Sequence, residues 1–363
     1  MNLELDSSTF LNEFVWNENK LLDKETLLLF SPYLHCDLIS SDYESKVQWY
    51  YNLFTVARYI DLGLAHSLHH NQVARNYVSL CCDDEVCNRL LQPTTIGSTA
   101  QHKKSNTCVL SKHNNEWILN GTAHWLTNIH AADFITLEVL TDDNKDRYRI
   151  LIDAKEHQFD VSFDFSESLG MLSAKPGSAT FNHLKIDNKY ILSKHGWPDP
   201  GFEVSALTNL CFITNLTATT LALFNEIKQY ASMHNRCDDI AFKRCEVDVM
   251  VTVDNWVHRV SDLNFVNSEF YWYRYIEVYM FAKKTILDVI ALSRDLGIQY
   301  QLLNNDSSRV FRNALVFSSH MAKLENFHNL WGNHTNNDFN IDTYVKHYMN
   351  KFIRQKQLPT DIN

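Results

Sequence analysis

Three histidines stand close together in "IDLGLAHSLHH": His66, His69 and His70. Their i, i+3, i+4 spacing puts three imidazoles on one face of a helix, where they could move protons near neutral pH or hold a metal ion. No carboxylate or cysteine partner is set beside them, so no metal is expected there. "CCDDEVC" supplies Cys81, Cys82 and Cys87 but lacks a second ligand pair, and no metal is expected there either. A second constellation lies in "NEWILNGTAHWLTNIHAADF", Asn115 to Phe134. It reads as a strand through Trp117, Ile118 and Leu119, a turn at Asn120-Gly121, and a strand through His124, Trp125, Leu126 and Thr127. Trp125 and Thr127, two residues apart, share a face of that strand. On residue type alone they read as a core aromatic and a β-former.

The elements that position these groups follow from periodicity. Over 1–88, apolar residues recur at helical spacing, as in Val47, Tyr50, Tyr51, Phe54, Ile60 and Leu64, and no proline interrupts residues 45–80. Residues 89–202 change to short alternating segments such as "TCVLSKH", "DFITLEVL", "YRILIDA" and "ATFNHLKID". Turn signals separate them at Asn114-Asn115, Asn120-Gly121, Pro176-Gly177 and Asp187-Asn188. Residues 203–356 return to helical spacing in four segments, 203–235, 240–261, 267–303 and 307–331, with Gly297 marking a break in the third. Residues 357–363 form a polar tail. The predicted class is α+β: an N-terminal helical domain, a middle antiparallel β-barrel domain and a C-terminal four-helix bundle. Ligand sites in such chains fall between helices or at domain junctions.

Composition narrows the function. With 45% apolar and 21% charged residues over 363 positions, the chain reads as a soluble globular protein of two or three subdomains. A net charge of −10 argues against a duplex nucleic-acid partner. Glycine is scarce, and neither GxGxxG nor GxxxxGK[ST] occurs, so no phosphate loop is expected. No apolar run reaches the ~18 residues of a membrane span. The acidic start "MNLELDSSTF" has no apolar core of a signal peptide, and reduced thiols in a cytoplasmic protein are expected.

The domain order and the 115–134 stretch together resemble the acyl-CoA dehydrogenase superfamily. Its pattern W-x-LNG-x-K-x-W-I-T-N-x-x-x-AD is met by "EWILNGTAHWLTNIHAADF". "SLGMLSAKPGSATFNHLKIDNKYIL", "NEIKQYASMHNR", "LGIQY" and "RVFRNALV" fall where the superfamily has further characteristic stretches. The resemblance implies a flavoprotein using FAD, or FMN, with Trp125, Leu126 and Thr127 as the strand along the flavin. Trp125 would lie beside the isoalloxazine and Thr127 would hydrogen-bond near its N5 or O4. "LQPTTIGSTA" would bring Ser98 to the flavin phosphate. Assembly as a homodimer or homotetramer through the bundle is likewise implied.

The dehydrogenase branch of that resemblance lacks its base. The carboxylate that removes an α-proton would fall at Met321, or in some members at Thr208, with Glu203 the nearest substitute. His234 stands where the superfamily has an arginine that helps hold a neighbour's cofactor, with Arg236 and Arg244 nearby. The pattern is closer to flavin-dependent monooxygenases resembling dibenzothiophene monooxygenase and 4-hydroxyphenylacetate hydroxylase. "FRNALVFSSH" supplies a histidine, His320, eight residues after Arg312, and "IDLGLAHSLHH" matches their N-terminal helix. This implies reduced flavin, with a flavin reductase as partner, and O₂ oxygenating a small apolar or aromatic substrate. His320, His70 and His66 would be the catalytic imidazoles that stabilise or protonate the flavin's oxygen adduct. The alternatives are an acyl-CoA or acyl-carrier-protein dehydrogenase with a relocated base, and a catalytically inactive binding or assembly subunit. The aromatic run "FYWYRYIEVYMF" is bundle core, or else lines a pocket for an aromatic or lipid-like molecule.

Overall fold

The computed structural model describes residues 23–34, 36–100, 107–114, 116–143, 146–163, 172–174, 176–194, 201–263, 269–298 and 308–320. Met321, the expected helical segment beyond 320 and the 357–363 tail lie outside the described residues.

Helices open the described chain: α1 (Lys24–Leu34), α2 (Tyr43–Thr55), a π-helical turn (Val56–Ile60), α3 (Leu62–Cys81) and α4 (Asp84–Leu90). The uninterrupted helix expected across 45–80 is broken at Asp61, whose backbone is extended (φ −163°). Its side chain accepts from Leu64 N at 2.9 Å and so caps α3. Apolar residues continue on both sides of this one-residue break, so periodicity does not register it.

The middle region is one eight-stranded sheet: β1 (Gly97–Ala100), β2 (Val109–His113), β3 (Glu116–Leu126), β4 (Phe134–Thr141), β5 (Arg147–Asp153), β6 (Asp160–Ser162), β7 (Gly177–Ile186) and β8 (Ile191–Lys194). The order is β6-β7-β3-β2-β4-β5-β8, with β1 paired to β4. Most pairings are antiparallel, but β1–β4 and β2–β4 are parallel. Alternation looks the same in either direction, so pairing sense is invisible to it.

The turn expected at Asn120-Gly121 is absent, and β3 runs straight through it. The register shifts there: Leu119 faces Leu184 and Gly121 faces Phe181, two residues against three. The extra residue lies on β7, where His183 has φ 51° and donates its N–H to Asn120 Oδ1 at 2.8 Å. Gly121 has φ 108°, and a Cβ there would stand 2.2 Å from Thr107 O. Asn-Gly thus marks a bulge and a close backbone approach, for the same reason it would mark a turn.

Buried residues of the sheet, among them Leu119, Phe134, Ile135 and Leu137, share one core cluster with Val73, Ala74, Tyr77 and Val78 of α3. α3 lies so close to β1 that a Cβ on Gly97 would stand 2.7 Å from both Ala74 Cβ and the Phe134 ring.

The last four helices are α5 (Gly201–Met233), α6 (Ile240–Ser261), α7 (Glu269–Asp295) and α8 (Ser308–His320). α5 is central and touches α2, α3, α6, α7 and α8. Its Leu207–Met233 stretch is long and apolar enough to cross a membrane by length and composition alone, but most of its apolar part is buried inside the protein. Threonines break up the run. Thr208, Thr214, Thr219 and Thr220 each donate the hydroxyl to the carbonyl four residues back, which hides their polarity inside the helix. Gly297, in left-handed backbone (φ 71°), ends α7. Of the aromatic run, Tyr275 and Tyr279 are buried and stacked, with centroids 6.0 Å apart.

Candidate functional site

The site is built on the start of α3. Asp61 is almost fully buried, and besides capping the helix it accepts a hydrogen bond from Ser173 Oγ. Burial raises its carboxyl above the ordinary range, opposed by Ser173, by Leu64 N and by Arg309 of α8, whose Nε is 3.9 Å away. Nothing in the sequence reading singled out Asp61. Its usable signal is an aspartate immediately before an apolar helical run.

One turn along α3 the three histidines converge. Ring centroids are 4.3 Å apart for His66–His70, 5.1 Å for His69–His70 and 5.8 Å for His66–His69. Phe212 of α5 stands edge-on to His69 at 4.7 Å. His66 and His69 are buried, and His70 is partly exposed. Burial first, and the neighbouring His70 second, hold His69 well below the usual imidazole range, so its ring is neutral.

The end of β3 meets α3 beside this cluster. Asn128 Nδ2 donates to Ser67 O at 2.7 Å, and Gly97 N donates to Asn71 Oδ1 at 2.7 Å. The neighbours of His66 and His70 are therefore one hydrogen bond from the residue after Thr127 and the residue before Ser98. Among the described residues, Ser67 Oγ, Asn128 Oδ1 and both ring nitrogens of His69 are buried with no hydrogen-bond partner. Buried polar atoms are rarely left so, and each such atom marks a place where a ligand could supply the partner. Ser67, Asn71 and Asn128 went unnoticed because their bonds span 26 to 61 residues.

The structure corrects two expectations about the strand. A bulge separates Trp125 from Thr127: Ala123 faces Ala179 and Leu126 faces Gly177, three residues against two. Trp125 is the extra residue, with φ 64° and a side chain 42% exposed. Leu126 is in the core, while Thr127 lies past the strand end and is buried. The two do not share a strand face, because the extra residue resets the alternation. Ser98, expected at a phosphate, is fully buried and donates its hydroxyl to Thr127 O at 2.6 Å. A phosphate would need that same proton, so Ser98 instead ties β1 to the end of β3.

Other expected residues fall apart from this junction or outside its description. His320 is the final residue of α8; its side chain lies outside the described residues. Glu203 is in the first turn of α5, its side chain also outside them. His234 is an exposed residue just past α5, 4.3 Å from the Tyr230 ring. The thiols near α4 are held protonated: burial pushes Cys82 up to about 12 and raises Cys87.

No protein-family model and no curated protein matches the chain. Solved structures do. Butyryl-CoA dehydrogenase from Megasphaera elsdenii aligns with a TM-score of 0.72 at 13% identity, over 90% of this chain and 96% of that one. Dibenzothiophene monooxygenase from Paenibacillus sp. A11-2 aligns with a TM-score of 0.71 at 15% identity, over 92% and 96%, and a further structure of that protein is a complex with FMN and indole. The HsaA monooxygenase from M. tuberculosis gives 0.66 at 13%, over 86% and 90%. N-terminal helices, a middle β-sheet and C-terminal helices in this arrangement are the acyl-CoA dehydrogenase-like α+β fold, and that is the fold of this chain.

Proposed function

We propose that this chain is a flavin-dependent oxidoreductase that uses reduced flavin and O₂ to oxygenate a small apolar or aromatic substrate. The observation that carries the reading is Trp125. Left-handed backbone costs a non-glycine residue about 1–2 kcal/mol, and an indole left 42% exposed recovers only part of the burial that could offset it. Strain of this kind persists where a side chain is held out for a ligand.

The residues around Trp125 suit a flavin. Trp125 would wall the ring, Thr127 and the unpartnered Asn128 Oδ1 would meet its polar edge, and Ser67 with the histidine face of α3 would stand alongside. When bound, the flavin supplies electron transfer and oxygen chemistry that no side chain offers. The chain's own part is to exclude water with Trp125, orient the substrate, and hold or move a proton on an imidazole: His320 first, with His70 and His66 as further imidazoles. FAD is the expected form and FMN the alternative. The complex of one fold neighbour with FMN and indole supports an aromatic, apolar substrate class. A separate flavin reductase, a homo-oligomer and a cytoplasmic location complete the reading. Against proton abstraction from a thioester, Thr208, at one of the two expected base positions, is buried and gives its hydroxyl to Val204 O at 2.6 Å.

Anaerobic titration of the wild-type protein with FAD and with FMN, each oxidised and reduced, tests this. Reduced flavin is expected to bind at least about tenfold more tightly, a difference of about 1.4 kcal/mol. Tight binding of oxidised FAD with ferrocenium-coupled oxidation of acyl-CoAs would move the reading to a dehydrogenase working through Glu203. No binding in either redox state would make the chain a binding or assembly subunit.

A further inference from the structure

We propose that His66, His69 and His70 form a binding site for a divalent transition-metal ion of the zinc class. The expectation against a metal came from the lack of a cysteine or carboxylate partner, but the fold makes that partner unnecessary. One ring nitrogen from each histidine lies within 4.8 Å of the others. Ligands about 2.0–2.1 Å from a tetrahedral zinc stand roughly 3.3 Å apart, so small side-chain rotations bring the three into register. Three neutral imidazoles leave a fourth position for water, as in open zinc sites. An all-imidazole set favours Zn²⁺, Co²⁺, Ni²⁺ or Cu²⁺ over Mg²⁺ or Ca²⁺, which prefer oxygen.

The second observation is His69. It is fully buried, and neither ring nitrogen has a hydrogen-bond partner among the described residues. A bound ion gives one of them a partner at the one place where the other two rings also converge. Phe212 closes the cluster on one side. The site stands whether or not flavin binds. Loaded with metal, it would withdraw His66 and His70 from proton transfer and leave that role to His320.

The test uses flavin-free full-length protein, so its outcome is independent of the flavin titration. The wild type is titrated with Co²⁺, read by its visible ligand-field bands, and with Zn²⁺ against a chromophoric chelator. One tight equivalent is expected, with X-ray absorption counting three imidazole nitrogens on the ion. The double variant His66→Gln/His70→Gln and the single His69→Gln should each bind at least about tenfold more weakly, since even outer-shell partners are worth about 10- to 100-fold. The exposed-site control His113→Gln should bind as the wild type does. Far- and near-ultraviolet circular dichroism identifies any variant that fails to fold, and the wild-type stoichiometry and ligand count need no variant. Absence of a saturable equivalent in the wild type, fewer than three imidazoles on the ion, or undiminished affinity in a folded double variant would show an adventitious ion only and overturn the site.

Discussion

A His320→Ala variant is expected to lose about 10²- to 10⁴-fold in the rate of substrate oxygenation, the range for removing a general acid or base. Indole serves as the probe substrate, and flavin affinity should be unchanged. An imidazole is the one side chain suited by its ordinary range to give and take a proton at neutral pH. The residue ends α8, which packs on α3 and α5, the helices that carry the histidines and Phe212, and on α7. It lies eleven residues after Arg309, close to three full turns, so the two positions share a helical face about 16 Å apart along the axis. Arg309 is the α8 residue that approaches Asp61 at the start of α3. The loss should appear in kcat with KM held. A fall of less than tenfold, or one confined to KM, would remove His320 from the proton-transfer role.

Asp61→Ala should cost about 3 kcal/mol of stability, combining about 1 for a lost helix cap with about 1–3 for the hydroxyl of Ser173 left without its acceptor. The helix it caps carries His66, Ser67, His69, His70 and Asn71, so flavin and metal affinity should fall with it. Asp61→Asn keeps an acceptor oxygen and should keep most of the stability. The wild type also separates from both variants in pH. Burial raises the Asp61 carboxyl above the ordinary carboxylate range in the folded protein. The folded state therefore holds this proton more tightly than the unfolded chain. The stability this contributes is complete below the unfolded value and is lost as pH rises through the folded one. Both variants should lack that decline, with Asp61→Ala the less stable of the two at every pH. Denaturant midpoints measured from mildly acidic to neutral pH decide it. A decline as steep in Asp61→Asn as in the wild type would assign the dependence to another group.

Helix, sheet, then helix was legible because periods of 3.6 and 2 differ over windows as long as "SKVQWYYNLF" or "DFITLEVL". What stayed hidden is local or long-range. The break at Asp61 is one residue wide. Asn120-Gly121 signals positive φ, which a bulge uses as readily as a turn. The strain at Trp125 is a backbone angle that a tryptophan gives no hint of. The histidine spacing was visible, but its neighbours Ser67, Asn71 and Asn128 are joined by bonds across the sheet–helix junction, and no single-chain pattern places them.

The variants Trp125→Ala and Trp125→Gly together test whether the partly exposed indole at the β3 bulge faces the flavin. Both delete the ring, but only glycine relaxes the left-handed backbone. The glycine variant should therefore be more stable than the alanine variant by about 1 kcal/mol. Both should bind reduced flavin at least about tenfold more weakly than the wild type, the worth of one aromatic wall. If folded Trp125→Gly binds reduced flavin as tightly as the wild type, Trp125 does not face the flavin.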